Sequence, residues 1–436
     1  MSTPGLAINR WWQLVACMIA MVAIANLQYT WTLFTVPLST GLNARLSDVQ
    51  LTFTLFILTQ SWLVPIEGYL VDRLGARIVV AVGGLLVGLS WVGSGLAQSL
   101  PALYGCYVLG GMGVGAVYGA CVGTALKWFP DRRGLAAGLV VGAYGAGAAV
   151  TVIPIQRTIE HSGYNSAFIT WGILQGIVVT VLARFMVAPA SSWKPGGRQY
   201  AAATPERVEQ SAVNYTPLQM LKMGTFHLMY LVSALVTFGG LVVTAQLKPI
   251  ATAYGLDKTA VIPGVSAVAL ALMLNLIVGG MTRPLWGWLS DRIGRYSTMA
   301  MAFGLGALGI LALVELVQHA IWFVILSSFT VFTWGATFVL FSAAIGDVFG
   351  SEYAATNNGI QYTSKGVASI FAGWGAAKLL EATGSWTPVL WAAFGCNLLA
   401  AILAFFCLKP MVAKITVRRD VSAPSTPASS HLVGSR

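Results

Sequence analysis

Charge is what this chain has least of. Asp, Glu, Lys and Arg together make up 9% of its 436 residues, where a soluble domain carries about a quarter. So few charges cannot cover a water-facing surface, which excludes an ordinary soluble fold. Metal-binding and disulfide chemistry are scarce as well. There are four histidines and five cysteines. Cys17, Cys106, Cys121, Cys396 and Cys407 all fall in apolar stretches, with no CxxC spacing and no Cys/His cluster. They read as small packing residues, with no disulfide framework and no metal site. No nucleophile–base pair and no cofactor fingerprint stands out. The glycines of LGGMGVGAVYGA follow no strand pattern and lie in an apolar stretch, so they are no dinucleotide loop. The sequence therefore predicts no enzyme and no cofactor.

What the chain has is long apolar runs. Residues of the apolar classes make up 57% of it, in runs of about 20, the length that spans a bilayer. Twelve are expected, near 12–37, 47–70, 78–97, 101–125, 134–156, 167–188, 224–250, 261–288, 296–317, 319–348, 355–380 and 387–408. The first has no small-residue cleavage site and is expected to stay as a helix. The fold class expected is all-α and integral to the membrane.

The net charge of +11 is topological rather than a sign of nucleic-acid binding. In a twelve-span arrangement, 18 of the 25 basic residues fall on one side and five (Arg45, Arg157, Lys248, Lys258, Lys378) on the other. The positive-inside rule then places both termini in the cytoplasm, as in a multi-pass plasma-membrane protein of a bacterial inner membrane.

The chain also repeats. GYLVDRLGAR (68–77) returns as GWLSDRIGRY (287–296), 219 residues later. A weaker pair is WFPDRRGLAAG (128–138) and VFGSEYAATNNG (348–359). The offsets match half the chain length, so the expected organisation is two six-helix halves, 1–188 and 223–410, in the same orientation. Residues 189–222 would be a cytoplasmic linker and 411–436 a disordered, basic, Ser/Pro-rich tail. The sequon Asn214-Tyr215-Thr216 would be inert on that side. Glycine ladders at Gly111, Gly115 and Gly119, and at Gly134, Gly138 and Gly142, are spaced for close helix packing.

Two basic residues remain, and both sit inside apolar runs: Arg283 and Lys365. Neither has an acidic residue within a helical turn. A charge at mid-bilayer costs about 2.5–3.5 kcal/mol even on lenient insertion scales, so something must offset it. Arg283 is eight residues before Asp291 and Lys365 about ten residues into its run, so both lie at similar depth. Snorkelling is the ordinary alternative for Lys365, and that depth argues against it. The natural partner of two unpaired cations is an exchangeable anion. Asn275, two turns before Arg283, would share its face. In the repeat, Lys365 aligns with Tyr144 and Phe338 with Tyr118, so the same wall positions recur in both halves.

The loop motif at 68–77 and its copy resemble the signature loop of the major facilitator superfamily. Asp72, Arg73, Asp291 and Arg292 would then form a charge latch, with Glu67 joining the gate. WFPDRRGLAAGLVVGAYGAG (128–147) is similar to the fifth-helix motif of the monocarboxylate porter branch. NLQYTWTLF, VYG, GAYG, FTWG, RPLWGWLSDRIGRY and SKGVASIF extend the likeness to the oxalate:formate antiporter group along nearly the whole chain. The resemblance implies that Arg283 and Lys365 bind carboxylates. It implies an aromatic cage at Tyr29, Tyr118, Tyr144 and Trp334, with two positions changed in type to Phe338 and Tyr362. Gln28 is retained, while a second-helix glutamine of the group corresponds to Ile57.

Two functions follow. One is exchange of small carboxylates such as oxalate and formate, by a monomer in the lipid bilayer. The other is proton-coupled monocarboxylate symport. The symporters place an aspartate one turn before the helix-eight arginine, and here that position is Gly279. With no carboxylate expected at mid-membrane, exchange is favoured. Arg157, Glu160, His161, His227, Lys378 and Glu381 read as interfacial.

Overall fold

The computed structural model describes residues 9–129, 133–187, 214–350 and 353–413. Helices dominate it, and they form twelve consecutive rods. The first six are Arg10–Tyr29 with Trp31–Gly41, Leu46–Trp62 with Val64–Leu74, Ala76–Leu96, Leu100–Trp128, Arg133–Gly147 leading into Val152–Ala183, and the remainder of that helix beyond Gly163. The last six are Gly224–Ala245 with Leu247–Ala253, Ala267–Ile293, Arg295–Leu316, Ala320–Trp334 with Ala336–Phe349, Ala354–Ile370 continuing through Phe371–Gly375 to Ala376–Thr383, and Thr387–Ile402 with Leu403–Leu408.

Among the described residues, nine helices are long and apolar enough to cross a membrane. One of them, Gly138–Ala183, is two rods joined at Gly163, whose φ of 79° breaks the helix. The second and eleventh rods fall short for a physical reason. The second is interrupted at Leu63. The eleventh carries Asn357, Asn358, Gln361, Tyr362, Thr363, Ser364 and Lys365 within nine residues, a face too polar for lipid.

The loop-motif repeat has a structural counterpart. Gly75 (φ 81°, ψ 152°) and Gly294 (φ 89°, ψ 150°) end their helices in the same conformation, one that disfavours any residue with a Cβ. Gly163 and Gly384, with φ of 79° and 70°, turn the fifth rod into the sixth and the eleventh into the twelfth.

Three expectations need correction. The eighth rod begins at Ala267 rather than near 261. Residues before it form a short antiparallel hairpin, Ala260–Ile262 with Val265–Ser266, because Pro263-Gly264 is a turn and Gly264 takes φ 78°. Part of the stretch expected as linker is folded: Pro217–Leu221 is a helix with a reciprocal cap between Thr216 and Gln219. The backbone N–H of Tyr215 also donates to Phe349 O at 2.9 Å. The remaining linker and the tail lie outside the described residues. Finally, the first glycine ladder packs only in part. A Cβ at Gly111 would meet Phe56 O at 2.7 Å, whereas one at Gly119 would meet nothing within 4 Å. In the second ladder, Gly142 faces Gly280 while Gly138 is open.

The halves are tied at the end away from the loop motifs. Gln50 Nε2 donates to Gln246 Oε1 at 2.7 Å, and Gln246 Nε2 to the carbonyls of Ala372 and Gly373 at 3.0 Å each. The Lys248 backbone N–H reaches Thr32 Oγ1 at 2.8 Å, and its ammonium the Leu33 carbonyl at 3.2 Å. Ser47 N–H donates to Glu381 Oε1 at 3.0 Å, which in turn pairs with Lys378.

Candidate functional site

The polar residues inside the bundle converge at mid-length. The eleventh rod presents Lys365, buried with 3% of its surface exposed. Its ammonium donates to Gln28 Oε1 at 3.0 Å, Gln60 Oε1 at 3.2 Å and the Tyr362 hydroxyl at 3.2 Å. All three acceptors are neutral. The charge is solvated but not cancelled. Gln28 comes from the first rod and Gln60 from the second, so this cation is held chiefly by the other half of the chain. The Tyr144 hydroxyl of the fifth rod joins the same cluster, donating to Gln28 Oε1 at 3.0 Å and accepting from Gln60 Nε2 at 2.9 Å.

Arg283 of the eighth rod is placed differently. One guanidinium nitrogen donates to Val141 O at 2.9 Å. The guanidinium lies 5.2 Å from the centre of the Phe338 ring, within range of a cation–π attraction. The Tyr29 hydroxyl stands beside it. The fifth and eighth rods approach closely here because both are glycine-lined. A Cβ at Gly280 would fall 2.9 Å from that of Ala146.

The aromatics link the two cations into a ring. Tyr29 packs on Tyr144 with centroids 5.4 Å apart, and Tyr118 on Tyr144 at 5.3 Å. On the other side Trp334 meets Phe338 at 5.3 Å, and Phe338 meets Tyr362 at 6.3 Å. Trp334 is seated on Gly240, where any Cβ would collide with the indole. All of the expected cage positions therefore lie around one region.

A narrow cavity lies inside this ring, with a free volume of only about 20 Å³, close to that of one water. Tyr29, Asn275, Gly279, Arg283, Trp334 and Phe338 are among its walls. Lys365 is not a wall residue here, because Gln28, Gln60 and Tyr362 cover its ammonium. Three buried donors around the cavity have no partner: Arg283 Nε, Trp334 Nε1 and Asn275 Nδ2. A buried donor without an acceptor is costly, and all three on one cavity call for an acceptor-rich guest.

Sequence reasoning missed Gln60. It assigned the second-rod position to Ile57, which is buried apolar packing. The side chain that reaches Lys365 comes one turn later. A glutamine inside the apolar run TLFILTQSW was the available signal. Asn275 was anticipated, and its side-chain oxygen accepts from Ser328 at 2.8 Å.

The loop-motif residues divide. The side chain of Asp72 lies outside the described residues, and Arg73 is exposed. Asp291 accepts from Arg295 at 2.6 Å, and Arg295 also reaches Asp347 of the tenth rod at 3.1 Å and the Ser290 hydroxyl. Arg292 instead stacks over Trp288 of its own helix, 3.9 Å from the ring centre. The basic residue that bridges helices is therefore Arg295, three positions beyond the expected pair. Glu67, expected in the gate, sits inside the bundle, 5% exposed.

Comparison with known proteins came to the same region of sequence space. The profile of the Major Facilitator Superfamily matches residues 16–373 and 229–436. The chain is 34% identical to the oxalate:formate antiporter of Oxalobacter formigenes, over 94% of each chain. It is 25% identical to monocarboxylate transporter 12-B of Danio rerio, over 91% of this chain and 86% of that one.

Proposed function

Because the chain belongs to the Major Facilitator Superfamily and is a multi-pass membrane transporter rather than an enzyme, we propose that it exchanges small carboxylate anions, with a dicarboxylate such as oxalate and a monocarboxylate such as formate as the two partners. The observation that carries this reading is the set of three unpartnered donors on one cavity, with Arg283 among them. A carboxylate supplies acceptors to all three. The planar guanidinium can hold two of its oxygens at once. Lys365 supplies the second positive charge when its neutral oxygens give way.

Alternating access follows from charge. Two bare cations in a cavity drained of water repel strongly, so the empty carrier resists closing. An anion of two charges removes that resistance. The end tied by Gln50, Gln246 and Lys248 is the closed gate of this conformation, and loading would favour closing the other. Obligatory exchange then needs no separate energy source beyond the two anion gradients. Asp291 and Asp347, bridged by Arg295, hold the eighth and tenth rods together at the loop-motif end. In this reading both termini and the loop motifs face the cytoplasm, the chain divides at the 189–222 linker, and the carrier works as a monomer.

Counterflow in proteoliposomes tests the assignment. Internal unlabelled oxalate should drive transient accumulation of labelled external oxalate, and formate should substitute for it. Uptake that ignores internal anion would sink exchange. Uptake driven by a proton gradient alone would instead support proton-coupled monocarboxylate symport, the second reading, to which the similarity to a monocarboxylate transporter lends weight.

A further inference from the structure

The central cavity is a crevice along one face of the eighth rod. Leu272, Asn275, Leu276, Gly279 and Arg283 line it, and residues spaced by three and four fall on one side of a helix. Asn275 precedes Arg283 by two turns, about 12 Å along the axis toward the tied end. Contacts with the tenth rod run in the same order. Asn275 meets Ser328, a Cβ at Gly279 would approach a Val331 methyl at 3.1 Å, and the Arg283 guanidinium lies over Phe338. Arg283 therefore stands toward one end of the crevice and Asn275 toward the other. Gly279 keeps the wall between them free of a side chain.

Asn275 is set up as a donor. It is buried, with 2% of its surface exposed. The Ser328 hydroxyl donates to its Oδ1 at 2.8 Å. That bond fixes the amide so that Nδ2 is the atom left over, and Nδ2 has no partner. Among the described residues, the buried donors without partners on this cavity are Arg283 Nε, Trp334 Nε1 and Asn275 Nδ2. One is charged and two are neutral. Lys365 is held off the cavity by Gln28, Gln60 and Tyr362. The walls thus ask for one negative charge and for an oxygen beyond it. They do not ask that the second oxygen be charged.

We propose that Asn275 is a specificity residue of the site, binding the far oxygen of a guest whose carboxylate rests on Arg283, whether or not that oxygen carries a charge. The proposal rests on the carboxylate-exchange reading above and divides its guests into two classes. Carboxylates with an acceptor oxygen on the adjacent carbon are held at both ends. Oxalate is one, and oxamate, its isostere with a neutral amide at one end, is another. Formate has only the carboxyl group that Arg283 takes. It leaves Asn275 to a water, and the free volume of about 20 Å³ has room for one. An acid with methyl groups at the far end supplies no acceptor and fills the place of that water. The Asn275 donor is then left unpaired, which is costly. Because the reading group is neutral, this selection is separate from the charge that Lys365 adds.

The test is binding of oxalate, oxamate, isobutyrate and formate to the purified full-length carrier by calorimetry at one neutral pH. Isobutyrate matches oxamate in shape and lacks the far oxygen. The wild type should bind oxamate at least about tenfold more tightly than isobutyrate, the worth of one buried hydrogen bond. Asn275→Leu keeps the bulk and removes the donor. In it, oxalate and oxamate should each weaken about tenfold, while formate stays close to its wild-type affinity. A merely structural role for Asn275 would weaken all the guests alike, and that result would overturn the proposal. So would unchanged oxamate affinity in Asn275→Leu, or wild-type carrier that binds isobutyrate as tightly as oxamate. If the leucine variant does not fold, Ser328→Ala carries the test, since it frees the amide to turn. A fall in oxamate affinity relative to formate supports the assignment, and an unchanged ratio overturns it. Failure of both oxalate and formate to bind the wild type would instead remove the exchange reading.

Discussion

The two intramembrane cations face different surroundings. Lys365 is fully enclosed, with each of its three donors on a neutral oxygen from Gln28, Gln60 or Tyr362. Arg283 is half-buried, spends one nitrogen on a carbonyl, rests on an aromatic face and leaves Nε without a partner. One cation is satisfied without a guest and the other is not. In the proposed exchange, Arg283 is the residue that would meet the anion first. Lys365 would be a reserve of charge whose release requires the Gln28–Gln60–Tyr144 cluster to rearrange. Because that cluster belongs to the first half and Lys365 to the second, its rearrangement is also a change in how the halves touch.

The largest effect should come from Arg283→Lys. A point charge cannot reproduce the planar fork or the stack on Phe338. Exchange should fall at least about 100-fold, equivalent to the roughly 3 kcal/mol of a hydrogen-bonded charge pair, while the protein still inserts. Near-normal uptake would take Arg283 out of the site. Lys365→Gln should rank next. Dianion exchange should fall by about ten- to a hundred-fold, the upper part of the range for one charge-assisted contact, while some monocarboxylate transport survives. Unchanged dianion affinity would show that the satisfied cation never reaches the guest.

Gln60→Leu sharpens the comparison. It removes one acceptor from Lys365 and one donor from Tyr144. Thermal stability should drop by about 1–2 kcal/mol, the cost of leaving buried polar groups unpaired, and anion affinity should hold or rise as the ammonium is freed. A loss of affinity as large as that of Lys365→Gln would make Gln60 a direct ligand. Gly279→Asp should give the smallest change. It places a carboxylate one turn from Arg283 and weakens anion binding at neutral pH more than at acid pH. Its Cβ would sit 3.1 Å from a Val331 methyl, so a small loss of stability accompanies it. Equal binding at every pH would mean that residue 279 does not face Arg283.

The sequence was most legible where physics leaves few options. Long apolar runs in a chain with 9% charge force membrane helices, and two in-frame copies of one loop motif force a repeat. Arg283 and Lys365 stood out because nothing nearby in sequence neutralises them. Legibility failed where partners come from distant rods. Gln60 reads as an ordinary polar residue until Lys365, 305 positions away, is seen to donate to it. Arg295 outranks Arg292 as the bridging residue because Asp347, 52 positions on, happens to lie within its reach. Glu67 reads as a gate residue because it adjoins the loop motif, and its burial shows only in the packing over Gly115. The Pro263-Gly264 turn was visible in sequence, but its apolar flanks disguised it as the start of a helix.

The central claim is that closure needs the cation pair to be neutralised by a guest. Efflux of labelled oxalate from preloaded proteoliposomes measures this directly. Into buffer containing oxalate or formate, efflux should be fast. Into buffer with no transportable anion it should be slower by at least an order of magnitude, about the tenfold that 1.4 kcal/mol of barrier represents. Equal rates in the two buffers would show that the empty carrier closes as readily as the loaded one, and would contradict the account.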